Sequence, residues 1–185
     1  GLLQQLVYKQ PKTVSYFLRQ LFTLGRGRVI SKEEIALHPG AYPVYSSQTA
    51  DNGVLGFINT FDFDGEYITW TTDGANAGKV FYRTGKFNCT NVCGTAQLKQ
   101  KNQHNLYYIM SYLNNVTKKY VSYVGNPKLM NGVFANILIA LPSKELQDKA
   151  AALLTTLDKD IDVLRQKLAK LEEQKKGLMQ VLLTG

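Results

Sequence analysis

The stretch Asp73-Gly74-Ala75-Asn76-Ala77-Gly78-Lys79 has the glycines and terminal lysine of a phosphate cradle. A nucleotide-hydrolysing loop needs Ser or Thr after that lysine to hold a metal ion, and Val80 stands there, which excludes this chemistry. Asn126-Pro127-Lys128 begins like the Asn-Pro-Pro-aromatic motif of adenine methyltransferases but stops after two letters, and no glycine-rich cofactor loop accompanies it. Asp62, Asp64 and Glu66 alternate, so they can share one strand face as a metal-dependent nuclease would require. Within so turn-rich a stretch they read more simply as solvated side chains. Cys89 and Cys93 match neither redox nor zinc spacing, His38 and His104 stand alone, and no nucleophile–base set is signalled. The cysteines read as reduced thiols of a cytoplasmic protein.

What remains is recognition chemistry. Base edges are read by Asn, Gln, Ser, Thr, Arg and Lys, and phosphates are held by Lys, Arg, hydroxyls and backbone amides. Such residues crowd three stretches. The first holds Ser46, Ser47, Gln48, Thr49 and Asn52; the second Thr69, Thr71, Thr72, Asp73, Asn76 and Lys79; the third Asn88, Thr90, Asn91, Thr95 and Gln97. Gly74, Ala75 and Gly78 allow a ligand to approach the backbone closely.

These stretches lie in a body that differs in composition from the C-terminal segment. All 20 aromatic residues precede Pro142, the last being Phe134. Residues 1–142 carry 14 Lys and Arg against 7 Asp and Glu, whereas residues 143–185 carry 8 against 7. The 185-residue chain has a net charge of +8, which suits a polyanionic partner. No run approaches the ~20 apolar residues of a membrane span, and the N-terminus lacks the basic and apolar regions of a signal peptide.

The body reads as strands and turns. Strands are expected over 42–45, 54–58, 67–71 and 79–83, with turns at Asp51-Asn52-Gly53, Asp64-Gly65 and Thr84-Gly85. A helix is expected from Gln103 to Lys119, with Leu106, Ile109, Met110, Leu113 and Val116 on one face. Thr13–Leu24 fits either a helix or a strand, and Val133–Leu141 a closing strand. The fold class is α+β, a globular domain with an irregular sheet followed by a long C-terminal helix.

That helix is the clearest element. Leu154, Leu157, Ile161, Leu164, Leu168, Leu171, Leu178 and Leu182 follow a 3.5-residue repeat broken only at Lys175, the pattern of a coiled coil. Ser143 can cap it, and Glu145 and Asp148 suit its positive end. At about 1.5 Å per residue, Ser143–Thr184 spans roughly 60 Å. A lone leucine seam is unstable in water. It packs either on its own body or, as the polar remainder of the helix favours, on a partner helix. Gly1-Leu2-Leu3-Gln4-Gln5-Leu6-Val7 repeats the register of Gly177-Leu178-Met179-Gln180-Val181-Leu182-Leu183, as if the chain began where such a helix ends.

The chain resembles one half of a specificity subunit of a type I restriction–modification system. The resemblance lies in Gly40-Ala41-Tyr42-Pro43-Val44-Tyr45-Ser46-Ser47, Asn52-Gly53-Val54-Leu55-Gly56, Thr71–Val80, the stretch Phe134–Ser143, and the helix end Lys175-Lys176-Gly177-Leu178-Met179-Gln180. It implies three parts: residues 1–8 as the tail of a preceding spacer helix, 9–142 as a DNA target-recognition domain, and 143–185 as a spacer helix forming a coiled coil. Family subunits usually hold two such domains, so this chain is a half-subunit or a segment of a longer one. The implied role is non-catalytic reading of half of a bipartite site in double-stranded DNA. Implied partners are a second spacer helix, adenine-methylating modification subunits and restriction subunits. Those partners use S-adenosylmethionine and ATP; this chain uses neither. Candidate DNA contacts are Ser46, Ser47, Gln48, Thr72, Asn76, Lys79, Asn91 and Lys128, and candidate coiled-coil contacts are Leu157, Ile161, Leu164, Leu168 and Leu171. Tyr45 and Trp70 pack on the DNA backbone or in the core, the core being the stronger reading for Trp70. A coiled-coil adaptor for an acidic protein, and an enzyme with an unsignalled site, are the competing readings.

Overall fold

The computed structural model describes residues 12–184. The expected tail of a preceding helix, residues 1–8, lies outside the described residues. Strand β1 (Val14–Phe17) pairs antiparallel with β10 (Leu138–Leu141), so the two ends of the body meet where the arm begins. Between β1 and β2 (Phe22–Arg26) the chain makes one helical turn, α1 (Leu18–Leu21). Thr13–Leu24 is therefore strand, turn and strand. Leu18 and Leu21, three apart, would point to opposite faces of one strand, and the helical turn lets both be buried.

Among the described residues, two four-stranded sheets carry the body. In the first, β2, β9 (Cys93–Leu98), β6 (Tyr67–Thr71) and β7 (Val80–Arg83) lie side by side; in the second, β4 (Val54–Ile58), β3 (Pro39–Tyr45), β8 (Lys86–Cys89) and β5 (Phe63–Asp64). Helix α2 (Lys32–Leu37), capped by the Ser31 hydroxyl accepting from the Glu34 amide at 3.1 Å, brings Ile35 onto Ile30, Val44 and Ile58 of the second sheet.

Helix α3 (Leu106–Val116) covers the first sheet with Leu106, Tyr108, Ile109 and Leu113. It starts three residues later than expected because Asn105 caps it, accepting from the Tyr108 amide at 3.0 Å. It ends in a tighter turn at Thr117–Tyr120, where the buried Thr117 hydroxyl donates to the Gly78 carbonyl at 2.6 Å. The expected strand at Val133–Leu141 is a short helix, α4 (Asn131–Ala135), followed by β10. That turn places Phe134 flat on Trp70, with ring centroids 3.8 Å apart and planes within 2°. The Trp70 indole N–H donates to the Leu129 carbonyl at 2.9 Å, which satisfies its polar atom inside the core. Gly94 also lies against the indole, where a Cβ would sit 2.2 Å from Trp70 Cζ2.

The arm is α5 (Lys144–Thr184), about 60 Å long at ~1.5 Å per residue. Its first turns pack on the body. Gln147 is fully buried: its amide donates to the Pro142 carbonyl at 2.9 Å, and its carbonyl accepts from the Asn105 amide at 2.9 Å. Ala150 and Ala151 are buried too, and the Tyr107 hydroxyl donates to Asp158. From Thr156 onward every residue with a described side chain is exposed. The arm thus rests on its own body at the base and projects beyond it.

Candidate nucleic-acid interface

Strand register decides which loops meet. β3 and β8 run parallel with Tyr45 opposite Cys89, so the loops that follow both leave the same end. In the first sheet Thr71, the last residue of β6, lies opposite Cys93, the first of β9; Arg26, the last of β2, lies opposite Gly94. Loops 46–53, 72–79 and 90–92 therefore emerge together with Arg26. Backbone hydrogen bonds tie them: Thr90 N–H to the Tyr45 carbonyl at 2.8 Å, Thr72 N–H to Val92 at 3.0 Å, and Gly74 N–H to Pro127 at 2.9 Å. The last contact adds a fourth loop, 122–128.

One charged cluster organises this end. Asp73 faces Arg26 Nη2 at 3.4 Å and Lys128 Nζ at 4.0 Å. Arg26 Nε–H donates to the Asn91 carbonyl at 2.5 Å. Asn91 and Lys128, 37 positions apart in sequence, are thereby brought to one patch, and both side chains are exposed. Thr72 does not join them at the surface. It is fully buried and its hydroxyl donates to Asp73 Oδ2 at 2.6 Å, so it orients the carboxylate that holds the two cations. The expectation that Thr72 presents its hydroxyl to DNA gives way to this positioning role.

Ser46, Ser47 and Gln48 are half-buried at the head of loop 46–53. The Gln48 side-chain amide donates to the Val54 carbonyl and the Ser46 amide to the Gly53 carbonyl at 2.9 Å, which close the loop on itself. Asn76 and Lys79 are exposed on the other flank. They border a cleft of about 940 Å³ between body and arm, lined also by Asn52, Tyr107, Asp158 and Arg165. The candidate contacts thus form two flanks of one loop cluster, joined by loop 72–79.

The alternating carboxylates are not a cluster. Asp62 pairs with Arg28 at 3.1 Å, Asp64 sits opposite Lys86, and Glu66 accepts from the Tyr82 hydroxyl. Among the described residues no three His, Cys, Asp or Glu side chains gather closely enough to hold a metal ion. Cys89 and Cys93 are free and buried beneath the Asn91 turn, and the hydrogen bond between them, with burial, pushes the Cys89 thiol up. Two arginines are not singled out by sequence pattern. Arg26 reaches the loops only through the β2–β9 register, and Arg83 is buried between the sheets.

Four loops and exposed Asn76, Lys79, Asn91 and Lys128 thus share one end of the body. A sequence model of the type I restriction modification DNA specificity domain matches residues 11–173. The chain belongs to this family. As a type I specificity domain it is a non-catalytic recognition module. A Mycoplasma pneumoniae protein named as the N-terminus of a type I specificity subunit, S.MpnORF289P, is 47% identical over 144 residues, covering 77% of this chain and 76% of its own length. This chain spans only 54% and 44% of two longer specificity-subunit relatives from the same organism. The fold is similar to part of the type I restriction–modification S subunit of M. genitalium, with a TM-score of 0.70 at 18% identity over 84% of this chain and 41% of that one. A chain from a structure of type I system assembly and conformational transition gives 0.69 at 15% identity, over 99% of this chain and 50% of its own length. No described helix of this specificity domain is long and apolar enough to cross a membrane.

Proposed function

We propose that this chain reads one half of a bipartite double-stranded DNA site for a type I restriction–modification system. The observation that carries the reading is the convergence of loops 46–53, 72–79, 90–92 and 122–128 on one basic end of the body, with Asn76, Lys79, Asn91 and Lys128 exposed. Asn and Gln match adenine edges, and Lys, Arg and backbone amides match phosphates. The domain boundaries follow the composition break, with residues 9–142 as the reading domain and 143–185 as the spacer helix.

The arm supplies the geometry. Leu157, Ile161, Leu164, Leu168 and Leu171 are all exposed along α5 and form the seam for a second spacer helix. Antiparallel pairing sets two reading bodies at opposite ends of a rod of roughly 60 Å, under two duplex turns of about 34 Å each. Two identical halves related by a two-fold read an inverted repeat. The assembly docks adenine-methylating modification subunits and restriction subunits in the cytoplasm; those subunits bring S-adenosylmethionine and ATP. The neighbour solved as part of type I assembly supports this organisation.

Selection from randomised duplexes, by the chain alone and with the modification subunit of its own system, tests the reading. Enrichment of a split sequence or its inverted repeat is the expected result. If neither arm enriches any sequence, DNA reading fails and an adaptor for an acidic protein takes its place.

A further inference from the structure

The segment from Ser122 to Lys128 is a short hairpin with an apolar tip. Its stem is closed by two hydrogen bonds, Ser122 N–H to the Lys128 carbonyl and Lys128 N–H to the Ser122 carbonyl, both 2.9 Å. Gly125 turns the tip at φ +73°, a conformation that suits glycine. At that tip Tyr123 is 68% exposed and Val124 92%. Water gains nothing from such side chains, and neither contributes to any core cluster of the fold.

The stem, by contrast, is fastened on two sides. Gly74 N–H donates to the Pro127 carbonyl at 2.9 Å, and Leu129 N–H to the Thr72 carbonyl at 2.8 Å. The Leu129 carbonyl in turn accepts the Trp70 indole N–H, so the hairpin base is anchored to the packed core. At the stem Asp73 faces Lys128 at 4.0 Å and Arg26 at 3.4 Å, two cations to one carboxylate. Between Asp73 and Glu145 the chain contains no Asp or Glu at all; Lys118 and Lys119 lie in the turn just before the hairpin and Lys128 closes its stem, all three exposed. A rigid apolar point with cations at its base, near the Asn91 loop and Arg26 at the end of β2, fits a base step flanked by phosphates. It does not fit an apolar protein groove, which would leave the lysines without anions.

We propose that the Ser122–Lys128 hairpin is a wedge that inserts Val124 and Tyr123 between base pairs and kinks the duplex at the half-site. This rests on the reading that this end of the body holds DNA. Wedging of this kind unstacks a step and favours flexible pyrimidine–purine steps, so the hairpin adds sequence preference without hydrogen bonds to the bases. The lysines hold the backbone on either side while the tip enters.

The test uses the chain, alone and with its modification subunit, on the duplex recovered by selection. 2-Aminopurine is placed at each half-site position in turn, and the wild type is compared with the Tyr123→Ser, Val124→Ser double variant. Both replaced side chains are exposed, and an unchanged thermal melt verifies the fold. The expected result is one position that brightens severalfold on binding wild type and stays dark with the variant, whose affinity falls about tenfold, as loss of one stacked base contact would give. Wild-type binding with no brightening, or brightening equal in the variant, overturns the wedge and leaves DNA reading intact. Failure of wild type to bind any duplex in either arm overturns both. A variant that loses the modification subunit but keeps the brightening makes the tip a protein-docking point and also overturns the wedge.

Discussion

The guanidinium of Arg83 lies 3.5 Å from the centroid of the Tyr45 ring, stacked on it in the interior between the two sheets. Arg83 is 2% exposed. It donates to the Asn52 carbonyl at 2.7 Å and to Thr69 Oγ1 at 3.3 Å, and burial holds its pKa below the usual arginine range. Tyr45 precedes loop 46–53 and Asn52 closes it, so one buried cation fixes both ends of this loop to the sheet that carries loop 72–79.

Arg83→Ala therefore removes a large buried group and leaves the Asn52 carbonyl without its donor. The expected cost is about 2–4 kcal/mol in denaturant unfolding. Proteolysis within residues 46–53 should accelerate by more than that global loss alone explains. A variant as stable as wild type would show that the stacking carries no weight.

Lys128 and Arg26 share Asp73 at an exposed surface, where such pairs contribute little to stability. Lys128→Ala should leave the melt unchanged, weaken DNA binding evenly across sequences and lower the log–log salt slope by about one. Lys79→Glu should weaken binding still more, and unchanged affinity at low salt would remove Lys79 from the interface. Asp73→Asn frees both cations and should raise affinity for generic duplex. Fluorescence anisotropy across a salt series reads all three.

Leu164 is exposed in the middle of the α5 seam. Leu164→Asp places a charge where two spacer helices would meet and should shift the light-scattering mass from dimer to monomer. Leu164 belongs to no core cluster of the body, so the near-ultraviolet spectrum should not change. A variant of wild-type mass would refute the seam.

Gly94 has no room for a side chain beside Trp70. Gly94→Ala should displace the indole and destabilise the body by about 1–3 kcal/mol, visible as a change in tryptophan emission before the unfolding transition. Emission and stability equal to wild type would show that the sheet shifts freely.

Tyr107 joins the body to the arm through Asp158, and burial together with that hydrogen bond pushes its hydroxyl up to about 12. A raised folded-state pKa means the contribution is complete below the unfolded value near 10 and is lost as pH rises towards 12. Arm docking should be constant from neutral pH to about pH 9 and weaken above 10. Tyr107→Phe should dock more weakly at neutral pH and lose that alkaline step, followed by hydrogen exchange of the first turns of α5.

Periodicity and turn chemistry made much of the scaffold legible. The apolar face at Leu106, Ile109 and Leu113 is the buried face of α3, and the leucine repeat after Ser143 is one long helix. Where two short elements share a stretch, no single period fits, and Thr13–Leu24 and Val133–Leu141 hide a helical turn beside a strand. Thr72 illustrates the limit for the site. Its type suits base reading, but its place at the end of a central strand turns the hydroxyl inward to Asp73. Arg26 is the converse, a cation outside every motif that β-pairing carries to the Asn91 turn.

Local chemistry in the sequence was thus enough to determine a basic aromatic body, a leucine-seamed arm and loops of base-reading residue types, because charge, composition and 3.5-residue spacing need no knowledge of long-range contacts. Which loops meet was decided only by tertiary structure. The parallel alignment of β3 with β8 and the register of β6 with β9 place residues 46, 72 and 91 at one end. A shift of one residue in either pairing would turn each side chain to the opposite face.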